Sequence, residues 1–257
     1  VIAQFLTTLR LSLVEQTHNR FASLLLGLYL PTWYGIIYGL TEQASIGFRL
    51  RAFHVFVATS HQRLALLTAM LNATTLIMGF VALGAVRRSA TVDRRLVLCG
   101  HAREALILGR LVALAFVSLL VSLYAVAALT PLTPLRHPGV VLAGTFGVVL
   151  TYAAIGVLIG VLTQGELEGF FLIIMLSLVD TFLQNPIGSA AANNRAIVEY
   201  FPSYLPMQIV VGGAVADHVA WWQFWGSLGW AAGFGALGLI GFWYRTRTAR
   251  PRRWRSR

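Results

Sequence analysis

Lysine is missing from this chain of 257 residues, and all 20 of its basic residues are arginine. Without lysine there is no G-x-x-x-x-G-K-[ST] phosphate loop and no Schiff-base chemistry, so any ATP the protein uses has to be bound by another chain. Cysteine occurs once, at Cys99, which excludes an internal disulfide and leaves the redox compartment unreadable from cysteine pairing. Charged residues amount to only 11%. The histidines His18, His54, His61, His101, His137 and His218 are scattered, at no metal-ligand spacing with cysteine or paired carboxylates. Neither H-E-x-x-H, G-x-S-x-G nor a paired-carboxylate constellation occurs. The expectation is a protein with no catalytic residues, no metal site and no cofactor of its own.

What the chain has in abundance is apolar length. Hydrophobic residues make up 57% of it, its mean hydropathy is +0.72, and the apolar residues come in runs of about twenty, enough to cross a bilayer core as a helix. This describes an all-α polytopic membrane protein. Its charge of +11 could point to nucleic acid, but the arginines lie mostly just outside the apolar runs, as the positive-inside rule places them in cytoplasmic loops. No nucleic-acid partner is expected; membrane lipids are.

Residues 1–20 place Ile2, Phe5, Leu6, Leu9 and Leu13 at helical spacing with polar residues between them, the pattern of an amphipathic helix lying on the membrane surface. They lack the basic start and small-residue cleavage site of a signal peptide and are read as structure. Six spans are then expected, at about 21–40, 64–86, 111–129, 140–162, 170–188 and 224–244. The first contains Pro31 and the aromatics Trp33, Tyr34 and Tyr38, which suit either an interface belt or a substrate-facing cluster. Residues 41–62 are read as an outer loop. Asn72 and Thr75 share one face of the second span, where they can bond a neighbouring helix. Gly156 and Gly160 in the fourth form a small-xxx-small face, and the glycines of the sixth, Gly226 to Gly241, predict close helix packing along it.

Asp180 lies about ten residues, or roughly 15 Å, into the fifth span and so near mid-membrane, with Ser177 and Gln184 on its face. Two readings of this costly carboxylate stand: a functional one, and a structural one in which burial neutralises it or helices bond across it. Residues 189–223 mix apolar patches with Pro202, Pro206 and paired glycines and fit short re-entrant or surface helices on the outer side. Residues 245–257 form a basic tail. With both ends on one side, that side receives Arg10, Arg20, the six arginines from Arg87 to Arg110 and the seven of the tail, against Arg49, Arg51, Arg63, Arg136 and Arg195 opposite. Both termini are therefore expected in the cytoplasm.

Residues 87–110 stand apart as a long, charged, helix-capable stretch between two apolar runs. They hold six arginines, no aromatic residue and an apolar stripe at Val92, Leu96 and Cys99, which would let a short helix lie against a membrane face. The run from Ala90 to Leu98, the segment Ile107-Leu108-Gly109-Arg110-Leu111 that opens the third span, and the proline-containing stretch from Tyr200 to Pro206 together resemble the permease subunit of a type-2 ABC exporter. The resemblance covers nearly the whole chain. Arg87 and Arg88 stand where the family usually has glutamates, and Cys99-Gly100-His101 where Thr-Pro is common.

That resemblance implies an N-terminal elbow helix, six transmembrane helices, a cytoplasmic coupling helix and short outer re-entrant helices before the last span. It implies export of a hydrophobic or amphipathic substrate, driven by two copies of a separate ATP-binding subunit that carry the ATP and magnesium, with a second permease, identical or homologous, completing the path. The ATPase-coupling residues it implies are Asp93, Arg94, Arg95, Leu96, Leu98 and Arg103, with Glu166 and Glu168 as a smaller second contact. Asn72, Ser177, Asp180 and Gln184 are placed near the substrate path, and the bacterial inner membrane is the expected location. The competing expectation is a proton-coupled secondary transporter, or a non-transporting assembly subunit, that uses Asp180.

Overall fold

A chain this poor in polar side chains has to satisfy its backbone within each apolar segment, and helices do so. The computed structural model describes residues 2–50, 55–184, 197–215 and 221–247. Helix α1, Ile2–Thr17, is followed by Asn19, whose side-chain oxygen accepts from the Ala22 N–H at 3.3 Å and caps the next helix. Helix α2, Arg20–Leu40, carries Pro31, which lacks a donor and crowds the carbonyl four residues back. The helix absorbs this by widening to π geometry over Leu25–Tyr29, just before the proline.

The outer loop expected at 41–62 contains an antiparallel hairpin, β1 (Ser45–Leu50) and β2 (Val55–Ser60). Its register sets Ile46 opposite Thr59, Phe48 opposite Val57 and Leu50 opposite Val55, so apolar or β-branched residues recur at every second position of both strands. That period of two, interrupted by Arg49, Arg51 and His54, is why the segment reads as a loop. A bond from the His61 N–H to the Ala44 carbonyl at 2.8 Å closes the hairpin's base.

Helix α3 runs unbroken from His61 to Leu98, 38 residues or about 57 Å. This corrects the expected boundary at Arg87. The stretch read as a separate coupling helix begins as a direct extension of the second span, because charge ends a membrane span without ending a helix. Glycine ends it. Gly100 takes φ +86°, and the His101 N–H reaches back to the Leu96 carbonyl at 3.0 Å, the Schellman closure that glycine permits.

The chain then forms α4 (Arg103–Leu129), α5 (Pro138–Leu162), α6 (Glu166–Gln184), a short 3-10 turn at Ile197–Tyr200, α7 (Tyr204–Val215) and α8 (Trp221–Arg247). Five of the described helical stretches are long and apolar enough to cross a membrane: Arg20–Leu40, His61–Ser89, Glu104–Leu129, Pro138–Leu162 and Trp221–Gly241. The protein is thus a polytopic helical membrane protein. Helix α6 covers most of the expected span 170–188 but is not one of those five; positions 185–188 lie outside the described residues, as do 189–196, 216–220 and 248–257 of the expected outer segment and tail.

Helices α3 and α5 are central, with 78% and 67% of their apolar windows buried, whereas α2 and α8 are peripheral at 11% and 17%. Small residues let the central pair meet. A Cβ placed on Gly156 would lie 2.5 Å from the Gly79 carbonyl oxygen and 2.9 Å from the Ala82 Cβ, and one on Gly160 would lie 3.2 Å from Val86, so the expected small-residue face is a real helix contact. In α8 the expectation holds only in part. Gly226, Gly238 and Gly241 pack closely, but nothing lies within 4 Å of a Cβ on Gly229, Gly233 or Gly235.

Helix α8 runs parallel to α5, with Ser227 beside Gly147 and Gly241 beside Val161. Helix α7 runs against α5: its far end bonds Arg136 and His137 through the carbonyls of Ala214 and Gly213, while Ser203, just before its start, meets Asp180. It therefore begins deep among the helices and climbs back to the end at residues 130–137. Ten of its twelve residues are buried, as suits a re-entrant helix and not a surface one. The opposite end of the bundle, which carries α1, the turn at Gly100 and the turn at residues 163–165, is called the basal end below.

Candidate functional site

A groove opens between α2, α3 and α6. Tyr29 and Trp33 stack on one wall with ring centroids 6.2 Å apart, Asn72 and Phe80 line the second, and Leu178 the third. The groove measures about 280 Å³, room for about twenty water-sized groups at roughly 10–15 Å³ each. Its walls are apolar apart from a few groups that can fix a ligand's orientation. The Trp33 indole N–H is buried with no hydrogen-bond partner among the described residues, an arrangement that costs about 1–3 kcal/mol unless something supplies an acceptor.

Asn72 is held by the shell behind it. Its amide donates to the Ser177 hydroxyl at 3.4 Å, and Thr75 and Ser177 share a bond at 2.7 Å. The three are nearly or fully buried, so Ser177 acts on the groove through Asn72, as part of a link between α3 and α6. Asp180 serves a different network. Fully buried, it accepts from the Tyr152 hydroxyl at 2.8 Å and the Ser203 hydroxyl at 2.5 Å, joining α6, α5 and the start of α7. It is absent from the groove lining. The Gln184 side chain lies outside the described residues, so the expected polar path residues divide into Asn72 at the groove, Ser177 behind it and Asp180 in a separate cluster.

At the basal end, Arg87 donates to the Gln164 carbonyl at 2.7 Å and to Thr163 through its carbonyl at 2.8 Å and its hydroxyl at 2.6 Å. The turn that precedes Glu166 and Glu168 is thereby fastened to α3. Arg95 and both glutamates are exposed and Leu96 is half-buried. Leu98 is 79% exposed, and Leu167, between the glutamates, is 82% exposed. The side chains of Asp93, Arg94 and Arg103 lie outside the described residues.

Helix α1 is docked on this same end. Thr8 shares a hydrogen bond with His101 Nε2 at 3.0 Å, the Gln4 side-chain oxygen accepts from the Ala102 N–H at 3.3 Å, and Glu15 pairs with Arg88 at 3.5 Å. A Cβ on Gly109 would lie 3.0 Å from Thr8 and 3.2 Å from the Leu9 nitrogen, so the glycine of the Ile107–Leu111 motif lets α1 lie directly on α4. Thr8→Val keeps the shape and deletes the bond, and is expected to cost about 1 kcal/mol. The loss should appear as faster amide exchange across residues 2–17 with α3 unchanged; equal protection in the variant would show that the bond does not hold α1.

No protein-family model and no curated protein matches the chain. What the site can do therefore follows from its own side chains. Sequence reasoning named Trp33, with an interface belt and a substrate-facing cluster both open, and missed three others. Tyr29 was hidden in an apolar run. Tyr152 could have been noticed as the lone aromatic hydroxyl of the fourth span. Ser203 carries no signal, because only the return of α7 into the bundle brings it to Asp180.

Proposed function

We propose that this protein is the membrane permease subunit of an ATP-driven exporter of the type-2 ABC kind, with the motor on a separate chain. The observation that supports it best is the continuity of α3. One unbroken helix carries Asn72 on the groove wall and Leu98 on the exposed basal surface, 26 residues or about 39 Å apart. A partner that gripped the basal surface could move the groove wall by tilting that helix, with no flexible joint to absorb the displacement.

Charge, shape and exposure fit the same reading. Leu98 and Leu167 are apolar knobs beside Arg95, Glu166 and Glu168, the mixture of apolar anchors and a charged rim found where proteins dock. The Arg87 bonds hold both candidate coupling regions to one end of the bundle. With the arginine-rich end cytoplasmic, the arrangement is six spans with α6 as the fifth, both termini inside, and α7 as the outer re-entrant element, in a bacterial inner membrane. The groove, open to the bilayer side and walled by rings and aliphatic chains, suits an amphipathic cargo with a hydrogen-bond acceptor for Trp33. A second permease would close it.

The test is affinity purification from the native membrane in mild detergent, with mass spectrometry of what stays bound. An ATP-binding subunit should be recovered with the wild-type chain and lost with Leu98→Glu. Replacing Asp93, Arg94 and Arg95 together by alanine should abolish substrate efflux from vesicles while the protein still inserts and the partner still hydrolyses ATP. A folded chain that reproducibly comes out alone would defeat the reading, and undiminished efflux by the triple variant would move the motor contact elsewhere.

A further inference from the structure

A second cavity lies at the basal end, between α1 and the helices α3, α4, α5 and α8. It shares no lining residue with the groove. Aliphatic side chains make up most of its wall, among them Leu106 and Leu114 of α4, Val157 of α5 and Leu239 of α8. Helix α1 contributes Ser12 and Gln16, which stand four residues apart and so on one face of that helix. The cavity measures about 80 Å³, room for roughly five to eight heavy atoms at about 10–15 Å³ each.

The Gln16 Oε1 atom is buried and accepts from no donor among the described residues. The polar groups around it are occupied. The Ser89 hydroxyl donates to the Val86 carbonyl at 3.2 Å, Glu15 pairs with Arg88 at 3.5 Å, and Arg110 has an interaction of its own. An amide oxygen left buried without a donor is costly, so the cavity combines an apolar wall with one unmet demand for a hydrogen.

We propose that this cavity binds a compact, uncharged hydroxyl compound of about the size of phenol, with its carbon skeleton against the aliphatic wall and its hydroxyl donating to Gln16 Oε1. Size, wall and acceptor select this class together. The volume has no room for a phospholipid head group beside a chain, whereas phenol falls within the range above. Apolar walls with a single orienting polar atom are the usual make-up of a small-molecule site. A charged guest would be stripped of its water among aliphatic side chains, and a pure hydrocarbon would leave Gln16 without its donor.

Such a guest touches α1 on one side and α4, α5 and α8 on the other. Its binding would fasten α1 to the bundle at Gln16, about two turns beyond the contact made by Thr8. The inference rests on the cavity and its lining, and not on the exporter reading, so either can fail without the other.

The experiment is fluorine NMR of the full chain in nanodiscs, titrated with 4-fluorophenol and separately with 4-fluorotoluene, in which a methyl group replaces the hydroxyl. Empty nanodiscs supply the baseline for partition into lipid. Once that baseline is removed, 4-fluorophenol should bind saturably at one site and about tenfold more tightly than 4-fluorotoluene. Gln16→Leu keeps the bulk but deletes the acceptor, and should bring the two probes to within about twofold of each other by weakening the phenol alone. Ser12→Trp, on a half-buried position of α1, should plug the cavity from outside the central core and abolish saturable binding of both probes. Amide exchange over residues 9–17 should slow when 4-fluorophenol binds the wild-type chain. Absence of saturable binding, or equal affinity of the wild type for the two probes, would overturn the proposal; the second result would show that water completes Gln16. So would a phenol preference that survives Gln16→Leu, binding that survives Ser12→Trp, or binding that leaves exchange in α1 unchanged.

Discussion

Gly156→Ala should lose about 2–3 kcal/mol of stability, whereas Gly233→Ala should lose none and gain up to about 1 kcal/mol. Both replacements improve helix propensity by a similar amount, about 1 kcal/mol in an exposed helix interior, so packing alone separates them. On Gly156 the new methyl would stand 2.5 Å from the Gly79 carbonyl oxygen and 2.9 Å from the Ala82 Cβ. The first obstacle is backbone, which no rotamer change can clear, so α3 and α5 have to move apart. Overpacking of this kind costs about 1–3 kcal/mol, and here it prises open the two most buried of the five membrane-length helices. On Gly233 the methyl meets nothing within 4 Å. Thermal unfolding of the two variants in the same detergent checks this, and similar midpoints would show that the α3–α5 contact is looser than its geometry. The same displacement would reach the groove, because Gly79 and Phe80 are neighbours on α3 and Phe80 is a groove residue.

This pair of glycines shows how far sequence can be read here. Gly156 and Gly160 announced a helix contact through their spacing, and the spacing was enough because both face one partner. The glycines of α8 follow a similar rule, yet Gly229, Gly233 and Gly235 have open space beside them. Small-residue spacing says that a close approach is permitted, not that a neighbour is present. The extent of α3 shows the reverse limit. Hydropathy marks where a helix leaves an apolar environment, and the arginines from Arg87 onward marked that point; the end of the helix is set beyond them by Gly100, which takes a positive φ. Both signals were in the sequence, and they answer different questions. The hairpin at 45–60 was hidden because its alternation is short and carries arginines. Phe21, Phe80 and Phe170, whose rings meet 4.9 to 6.3 Å apart and hold the weakly buried α2 against α3 and α6, could not be matched as partners from spacing within any one helix.

The polar residues of α6 teach a similar lesson and carry the other large effect. Ser177 and Asp180 lie three residues apart and were read as one stripe, but the pair splits: Ser177 turns to Asn72 and Thr75 of α3, and Asp180 to Tyr152 and Ser203. Asp180→Ala should cost about 3 kcal/mol. Interhelical hydrogen bonds among membrane helices average about 0.6 kcal/mol and reach about 1.7, a carboxylate acceptor roughly doubles a neutral bond, and alanine leaves two buried hydroxyls, each penalised by about 1–3 kcal/mol if it finds no other acceptor. Asp180→Asn keeps the shape and an acceptor oxygen and should lose only about 1 kcal/mol. Ser203 stands at the N-terminal end of α7, where the helix dipole also favours a carboxylate, so Asp180 pins a helix that begins deep inside the bundle. Hydrogen exchange should accordingly show lost protection at residues 203–215 in Asp180→Ala, with residues 61–89 little changed. A cycle combining Asp180→Ala with Ser203→Ala should show coupling of about 1 kcal/mol, and strict additivity would remove the pin. A proton-carrying role predicts the opposite pattern, in which Asp180→Asn abolishes transport while stability and exchange at α7 stay at wild-type levels. The geometry favours the pin, because the carboxylate is fully buried, is engaged by hydroxyls from two other segments and lies away from the groove lining that a cargo would touch.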